Sequence, residues 1–166
     1  YAVILGLALK DRLEASLVAL PREGLVFSAS RGRGAQMART RGALRPVRVC
    51  GEGDRVLVSH GMPPEVPRHL CARGLRVIPA CGGAVAVAPL IPGVRAGLRY
   101  APSERGISLR GRIGTLIARE AGVLVRGDGN VPFPEDLTAP SCSLLVATTQ
   151  ADLAILAEAL AAAGLA

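Results

Sequence analysis

Aromatic side chains are almost missing from this 166-residue sequence: Tyr1, Phe27, Tyr100 and Phe133 are the full set, and there is no tryptophan. Single-stranded nucleic-acid platforms need aromatic faces on which bases stack. That class is therefore disfavoured, although contact with a phosphate backbone is not. Lysine is nearly absent as well. Of 20 basic residues only Lys10 is lysine, and the other nineteen are arginine. Alongside the abundance of Ala, Gly, Pro and Val this reads as GC-rich coding bias, so part of the arginine content reflects codon supply. The four cysteines (Cys50, Cys71, Cys81 and Cys142) include no CxxC pair, which argues against a zinc or iron–sulfur knuckle. They read as reduced, partly buried thiols in a cytoplasmic protein. No apolar run reaches the roughly 18 residues that a membrane span needs. The sequence opens on Tyr1 instead of methionine, which reads as a processed or excised piece of a larger polypeptide.

What is present is ordinary globular material. Half of the residues are hydrophobic and a fifth are charged, with 20 Gly and 12 Pro, so the chain is neither disordered nor collagen-like. Its length suits one domain with a core that needs no disulfide or structural metal. The net charge is +7. The segment from Gly24 to Gly51 holds no acid and six arginines, Arg31, Arg33, Arg39, Arg41, Arg45 and Arg48. Such a run is either a solvated face or a surface for nucleic acid or an acidic protein.

The hydrophobic pattern of the first half reads as alternating strands and helices. Val3 to Leu9 is an unbroken apolar run of strand length, the signature of a strand buried on both faces. Leu13, Leu17 and Leu20 recur at helical spacing before Pro21. Leu25 to Ser28 reads as a strand, followed by a Gly/Arg loop and a polar helix over 35–44. Val47 to Cys50 and Val56 to Ser59 are two more strand-like bursts around a Gly-Glu-Gly-Asp turn. Glu65 to Arg73 is helical, and Gly74 caps it before the strand at 75–78. Between 84 and 140 helical periodicity survives only over 114–121, and the segment reads as β-hairpins or an irregular insert. Leu144 to Ala147 is a strand. Thr149 and Asp152 form a capping box for a last helix striped with Leu153, Leu156 and Leu160. The expected fold is thus a small single α/β domain over 1–166. Its sheet is expected to be mostly parallel and Rossmann-like, with flanking helices and an insert at 84–140.

In an open parallel sheet, ligands sit outside the carboxyl ends of the strands. Three strand ends carry small or reactive residues: Ser28 to Gly34, then Ser59-His60-Gly61, then Ala80-Cys81-Gly82-Gly83. Ser30, Arg31, Gly32, Arg33 and Gly34 are the best anion-binding candidates. Glycines let backbone N–H groups turn toward an anion, and an arginine adds a bidentate fork. Gly82 and Gly83 join them on the neighbouring loop. His60 is a candidate general acid or base, and Cys81 a candidate nucleophile if His60 is within reach. Neither GxxxxGK[ST] nor GxGxxG occurs, and no GxSxG elbow supports a triad built on Ser30 or Ser59 with Glu65 or Asp54. His69 reads as structural, Asp128-Gly129-Asn130 as a tight turn, Arg126-Gly127-Asp128 as a chance tripeptide and Glu135-Asp136 as a solvated pair. No metal site and no cofactor pattern is present in the sequence, and oligomeric state is not encoded in any visible motif. The leading functional expectation is a domain that binds an anionic small molecule (phosphate, nucleotide or carboxylate), with hydrolase or transferase chemistry on His60 and Cys81. The alternative is a non-catalytic binding or assembly domain whose arginine-rich face meets nucleic acid or an acidic protein.

Overall fold

A computed structural model describes residues 1–47, 49, 51–103 and 106–165. It replaces the expected single parallel sheet with two sheets. The first is wholly antiparallel and runs in simple order, β1 (Val3–Leu9), β2 (Arg12–Leu20), β3 (Leu25–Ser30), β4 (Ala35–Arg39) and β5 (Arg45–Pro46). The second is mixed, in the order β7-β6-β8-β10-β9, formed by β6 (Arg55–Ser59), β7 (Arg76–Ala80), β8 (Val94–Tyr100), β9 (Leu124–Arg126) and β10 (Ser143–Ala147). β7, β6 and β8 pair in parallel, while β10 runs antiparallel to both of its neighbours, β8 and β9.

The Rossmann-like reading fails first at residues 12–20, which form β2 instead of a helix. Leu13, Leu17 and Leu20 fit helical spacing, yet buried Ser16, Val18 and Leu20 alternate with half-buried neighbours, and the strand has period two. The turn that makes this a hairpin is Lys10-Asp11, both with positive φ (48° and 60°). Hairpins favour that conformation because its twist matches the strands, but Asn-Gly is its usual sequence, so Lys-Asp hides it. The polar helix expected over 35–44 is likewise β4, a turn and β5. Of the burst at 47–50, Arg48 and Cys50 lie outside the described residues.

The supposed insert at 84–140 is the centre of the molecule. It contains α2 (Gly82–Ala86), β8, α3 (Leu109–Glu120) and β9. The helical period read over 114–121 falls in α3, and it is weak for a physical reason: Gly111 to Ala118 are all buried. A helix enclosed on every side has no polar face to report. It lies with α2 between the two sheets, in a core that includes Phe27, Leu90, Ile117 and Leu144. A second core (Val56, Leu70, Leu98, Leu145, Leu153) joins the other face of the mixed sheet to α1 (Glu65–Ala72) and α4 (Gln150–Ala161). The layers are therefore antiparallel sheet, α2–α3, mixed sheet, α1–α4.

Several local readings hold. α1 ends at Gly74, whose φ is 76°. Thr149 caps α4, its Oγ1 accepting from the Asp152 amide at 3.1 Å. Asp128-Gly129-Asn130 is a tight 3-10 turn. No helix among the described residues is long and apolar enough to cross a membrane.

Candidate anion site

The three loops expected to share one rim do not. The segment Ser30 to Gly34 joins β3 to β4 as a hairpin in the antiparallel sheet, and no helix follows it. Its backbone does form an anion cradle. Gly32 and Gly34 have φ of 69° and 73°, a left-handed geometry that glycine adopts freely, and it aims both amides at one point. The anion there belongs to the protein itself: the Glu120 carboxylate accepts from the Gly32 amide at 2.7 Å and the Gly34 amide at 2.8 Å. Arg31 is also engaged. It donates to the Leu13 carbonyl at 2.6 and 3.0 Å and to Glu135 at 2.9 Å. The cradle read from sequence thus ties the hairpin to the end of α3. Ser30 and Arg33 remain exposed at its margin.

Glu135, partly exposed, is ion-paired. Arg12 reaches it at 2.6 Å, opposite Arg31. These two arginines hold its carboxyl below the usual carboxylate range, the Arg12 hydrogen bond contributing most.

The mixed sheet does what one parallel layer was expected to do. Ser59 pairs with Ala80 across β6 and β7, so His60 and Cys81 leave adjacent parallel strands at the same rim. The chain runs from β6 through α1 to β7 on one side, and from β7 through α2 to β8 on the other. That reversal is the kind of switch point where α/β sheets open a crevice at the strand carboxyl ends. Ser59 Oγ accepts from the Tyr100 amide at 3.3 Å, closing β6 onto β8 there. This occupies Ser59 structurally instead of freeing it as a nucleophile.

The residue that sequence reasoning missed is Arg99, on β8. Its guanidinium lies against Gly82 and Gly111. A Cβ built on Gly82 would collide with Arg99 Nη1, and one on Gly111 would stand 3.0 Å from Nε. Two glycines from different helices thus make a slot that a guanidinium fills. Arg99 Nε is buried and finds no hydrogen-bond partner among the described residues. Burial pulls Arg99 below the ordinary guanidinium range. Cys81 acts in the opposite direction, and Arg110 adds to the depression. A buried donor without an acceptor is costly, and two arginines beside one another favour an anion between or near them. No signal in the sequence pointed here, because Arg99 is one arginine among nineteen and its slot is assembled from residues 17 apart on one side and 12 on the other.

Cys81 lies just before α2. It also borders a cavity of about 390 Å³ between the sheets, with Leu20, Leu57, Ile78 and Ala84 on its apolar walls. His60 is exposed, and Gly83 is buried against Ile4 and Val18 as a packing residue. His69 on α1 faces Glu158 at 3.8 Å, away from the rim. Among the described residues no three His, Cys, Asp or Glu side chains converge as a metal ion would require.

No protein-family model matches the sequence, and no curated protein aligns with it. Solved structures do match. SuhB of Mycobacterium tuberculosis superposes over all of this chain and 66% of its own, with a TM-score of 0.67 at 22% identity. The extragenic suppressor protein SuhB of Bartonella henselae covers 95% of this chain and 61% of its own, with a TM-score of 0.70 at 15% identity. An inositol monophosphatase from Anabaena covers 96% and 66%, with a TM-score of 0.67 at 17% identity. The chain has the inositol monophosphatase fold. It spans 61–66% of the length of these three solved chains.

Proposed function

We propose that this chain is a phosphate-recognition domain, and that it binds a small phosphomonoester at the carboxyl rim of β6, β7 and β8. The observation that carries the reading is Arg99, a guanidinium packed in a two-glycine slot, with a buried Nε that has no hydrogen-bond partner among the described residues. Arg110, in the first turn of α3, adds a second cation close enough to influence it. The α3 N-terminus supports the same reading, since Ser108 makes no side-chain cap and the first turn carries no acid. Anions are favoured at such an end. Some of the solved structures that share the fold bear the name inositol monophosphatase, which makes a phosphorylated polyol the natural first ligand to try.

Hydrolysis or group transfer is the stronger form of the same reading. His60 and Cys81 flank the proposed phosphate position from adjacent strands, as candidate proton donor and nucleophile.

The test is titration with inorganic phosphate and with inositol 1-phosphate, read by the Arg99 Nε–H resonance and by calorimetry. Binding that shifts this resonance, and that falls at least tenfold in Arg99→Met, is the expected result. Unchanged affinity in that variant would remove Arg99 from the site. Loss of phosphate release in Cys81→Ser with ligand affinity retained would establish the catalytic form. No phosphate release by the unaltered chain would leave recognition alone.

A further inference from the structure

The acid-free arginine run divides once it is folded. Arg31 is taken up by Leu13 and Glu135. Arg39, Arg41 and Arg45 gather at the other end of β4, around the turn into β5. All three are exposed, and none forms an ion pair among the described residues. Elsewhere arginines are matched, as Arg73 is by Glu158 and Arg95 by Asp152, both at 2.5 Å. Register sets two of the three on an unusual side. Leu25 and Phe27 belong to the inner, core-facing side of the antiparallel sheet, and Val26 between them to the outer side. Arg39 stands opposite Leu25, and Met37 lies between Phe27 and Arg45. Residues directly opposite share a face, so Arg39 and Arg45 project from the side that a sheet reserves for its core. What faces them is the loop after α2. Leu90 and Pro92 form the far wall of a cleft of about 810 Å³, with Met37 and Ala43 beside the arginines. That wall is pinned, because Arg55 donates to the carbonyls of Pro92 and Gly93.

We infer that this cleft docks an acidic segment of a partner protein, one whose carboxylates are interspersed with apolar side chains. Charge selects the first property. Two unmatched guanidiniums on one rim offer bidentate forks to carboxylates, and clusters of arginine that read acidic motifs are a recurring mode of peptide recognition. The walls select the second. Met37, Ala43, Leu90 and Pro92 can bury apolar side chains, which a phosphate backbone does not have. No aromatic residue lines the cleft among the described residues, so bases have no face to stack on. A polypeptide is therefore favoured over a nucleic acid. A wall fixed in advance also lowers the ordering cost of binding. The cleft is separate from the phosphate rim: Leu90 and Pro92 precede β8, whereas Arg99 lies near its far end, roughly 17 Å of strand beyond Val94. It is also remote from β1. β1 and β5 are opposite edges of the sheet, about 19 Å apart, so sequence joined ahead of Tyr1 would enter four strands away.

Fluorescence anisotropy with a labelled glutamate-rich peptide, leucine at every third position, tests it. The unaltered chain is expected to bind this probe, with an affinity that falls as salt rises. Arg39→Gln with Arg45→Gln should weaken binding at least tenfold with an unchanged circular-dichroism spectrum. Arg68→Gln with Arg76→Gln removes the same charge from α1 and β7 and should leave binding nearly unchanged. Ala43→Glu is the second test of the cleft. It alters an exposed turn residue, so folding is spared, and it should also weaken binding at least tenfold. Absence of binding by the unaltered chain, or equal losses in the two double variants, would overturn the inference. A peptide with serine in place of leucine that binds as well would reduce the cleft to a general cationic face and overturn it too. A DNA duplex that displaces the probe, and itself loses affinity in the Arg39 and Arg45 variant, would overturn it in favour of nucleic acid. Binding that vanishes when further sequence is joined ahead of Tyr1 would give the cleft to that sequence instead of a partner.

Discussion

The two sheets carry equally apolar strands and use them differently. In the mixed sheet β10 is buried at all five positions, Ser143 to Ala147, because α2 and α3 cover one face and α1 and α4 the other. In the antiparallel sheet β1 is exposed at six of seven positions. The lesson concerns layers. A continuous hydrophobic run declares that both faces of a strand are meant for burial, but it cannot say what lies over them. For β10 the covering helices are in the chain, and for β1 the structure supplies only one of the two layers.

The sharpest way to break that contrast is to truncate consecutive residues. Leu144 and Leu145 point to opposite cores, and each should cost about 2–5 kcal/mol as alanine, measured by urea denaturation. Phe27, on the inner face of the antiparallel sheet, should cost about 3–5 kcal/mol. Its neighbour Val26 on the outer face should cost well under half as much. Equal costs for Val26→Ala and Phe27→Ala would show that the outer face is already filled.

A smaller effect is expected at the clamp between the antiparallel sheet and α3. Glu120→Ala removes the acceptor of two backbone amides, and hydrogen bonds to a charged group are worth about 1.5–3 kcal/mol each when well formed. Glu120 is partly exposed, so a total near 2 kcal/mol is expected, with faster amide exchange at Gly32 and Gly34. Unchanged exchange there would mean that the hairpin holds its shape without α3.

The smallest effect is electrostatic. Glu135 is held below the ordinary carboxylate range by Arg12 and Arg31. A carboxyl depressed in the folded state stabilises above its unfolded pKa, about 4.3 for glutamate, and this contribution disappears as the pH falls through the folded value. Unfolding curves of the unaltered chain and Glu135→Gln should therefore differ at pH 7 and converge progressively below about pH 4. A constant difference down to pH 2 would assign the effect to packing.

Particular elements show where sequence reasoning succeeds. The ends of α1 and α4 were legible because their signals are local: Gly74 in left-handed geometry and Thr149 reaching Asp152 three residues on. β6, β7 and β10 were legible as short apolar bursts between turns. β2 was misread because leucines at 13, 17 and 20 satisfy helical spacing, while the deciding feature was a Lys-Asp turn with no glycine. α3 was legible only over 114–121, because burial of Gly111 to Ala118 blurs the amphipathic period. The site divides the same way. His60 and Cys81 were candidates read from strand ends, and pairing of β6 with β7 does bring those strand ends together. Arg99 was invisible, since its distinction is a slot built by Gly82 and Gly111.

By itself the sequence determined where α1 ends and α4 begins, and marked the glycines of Ser30 to Gly34 as a loop whose amides can turn toward an anion. These are properties of a few neighbouring residues, fixed by backbone sterics and apolar content. Only the tertiary structure decided that the anion is Glu120, that the rim gathers Arg99 instead of Arg33, and that one apolar face is left uncovered. Each of these depends on which distant segments become neighbours, and that choice is made by the packing of whole layers.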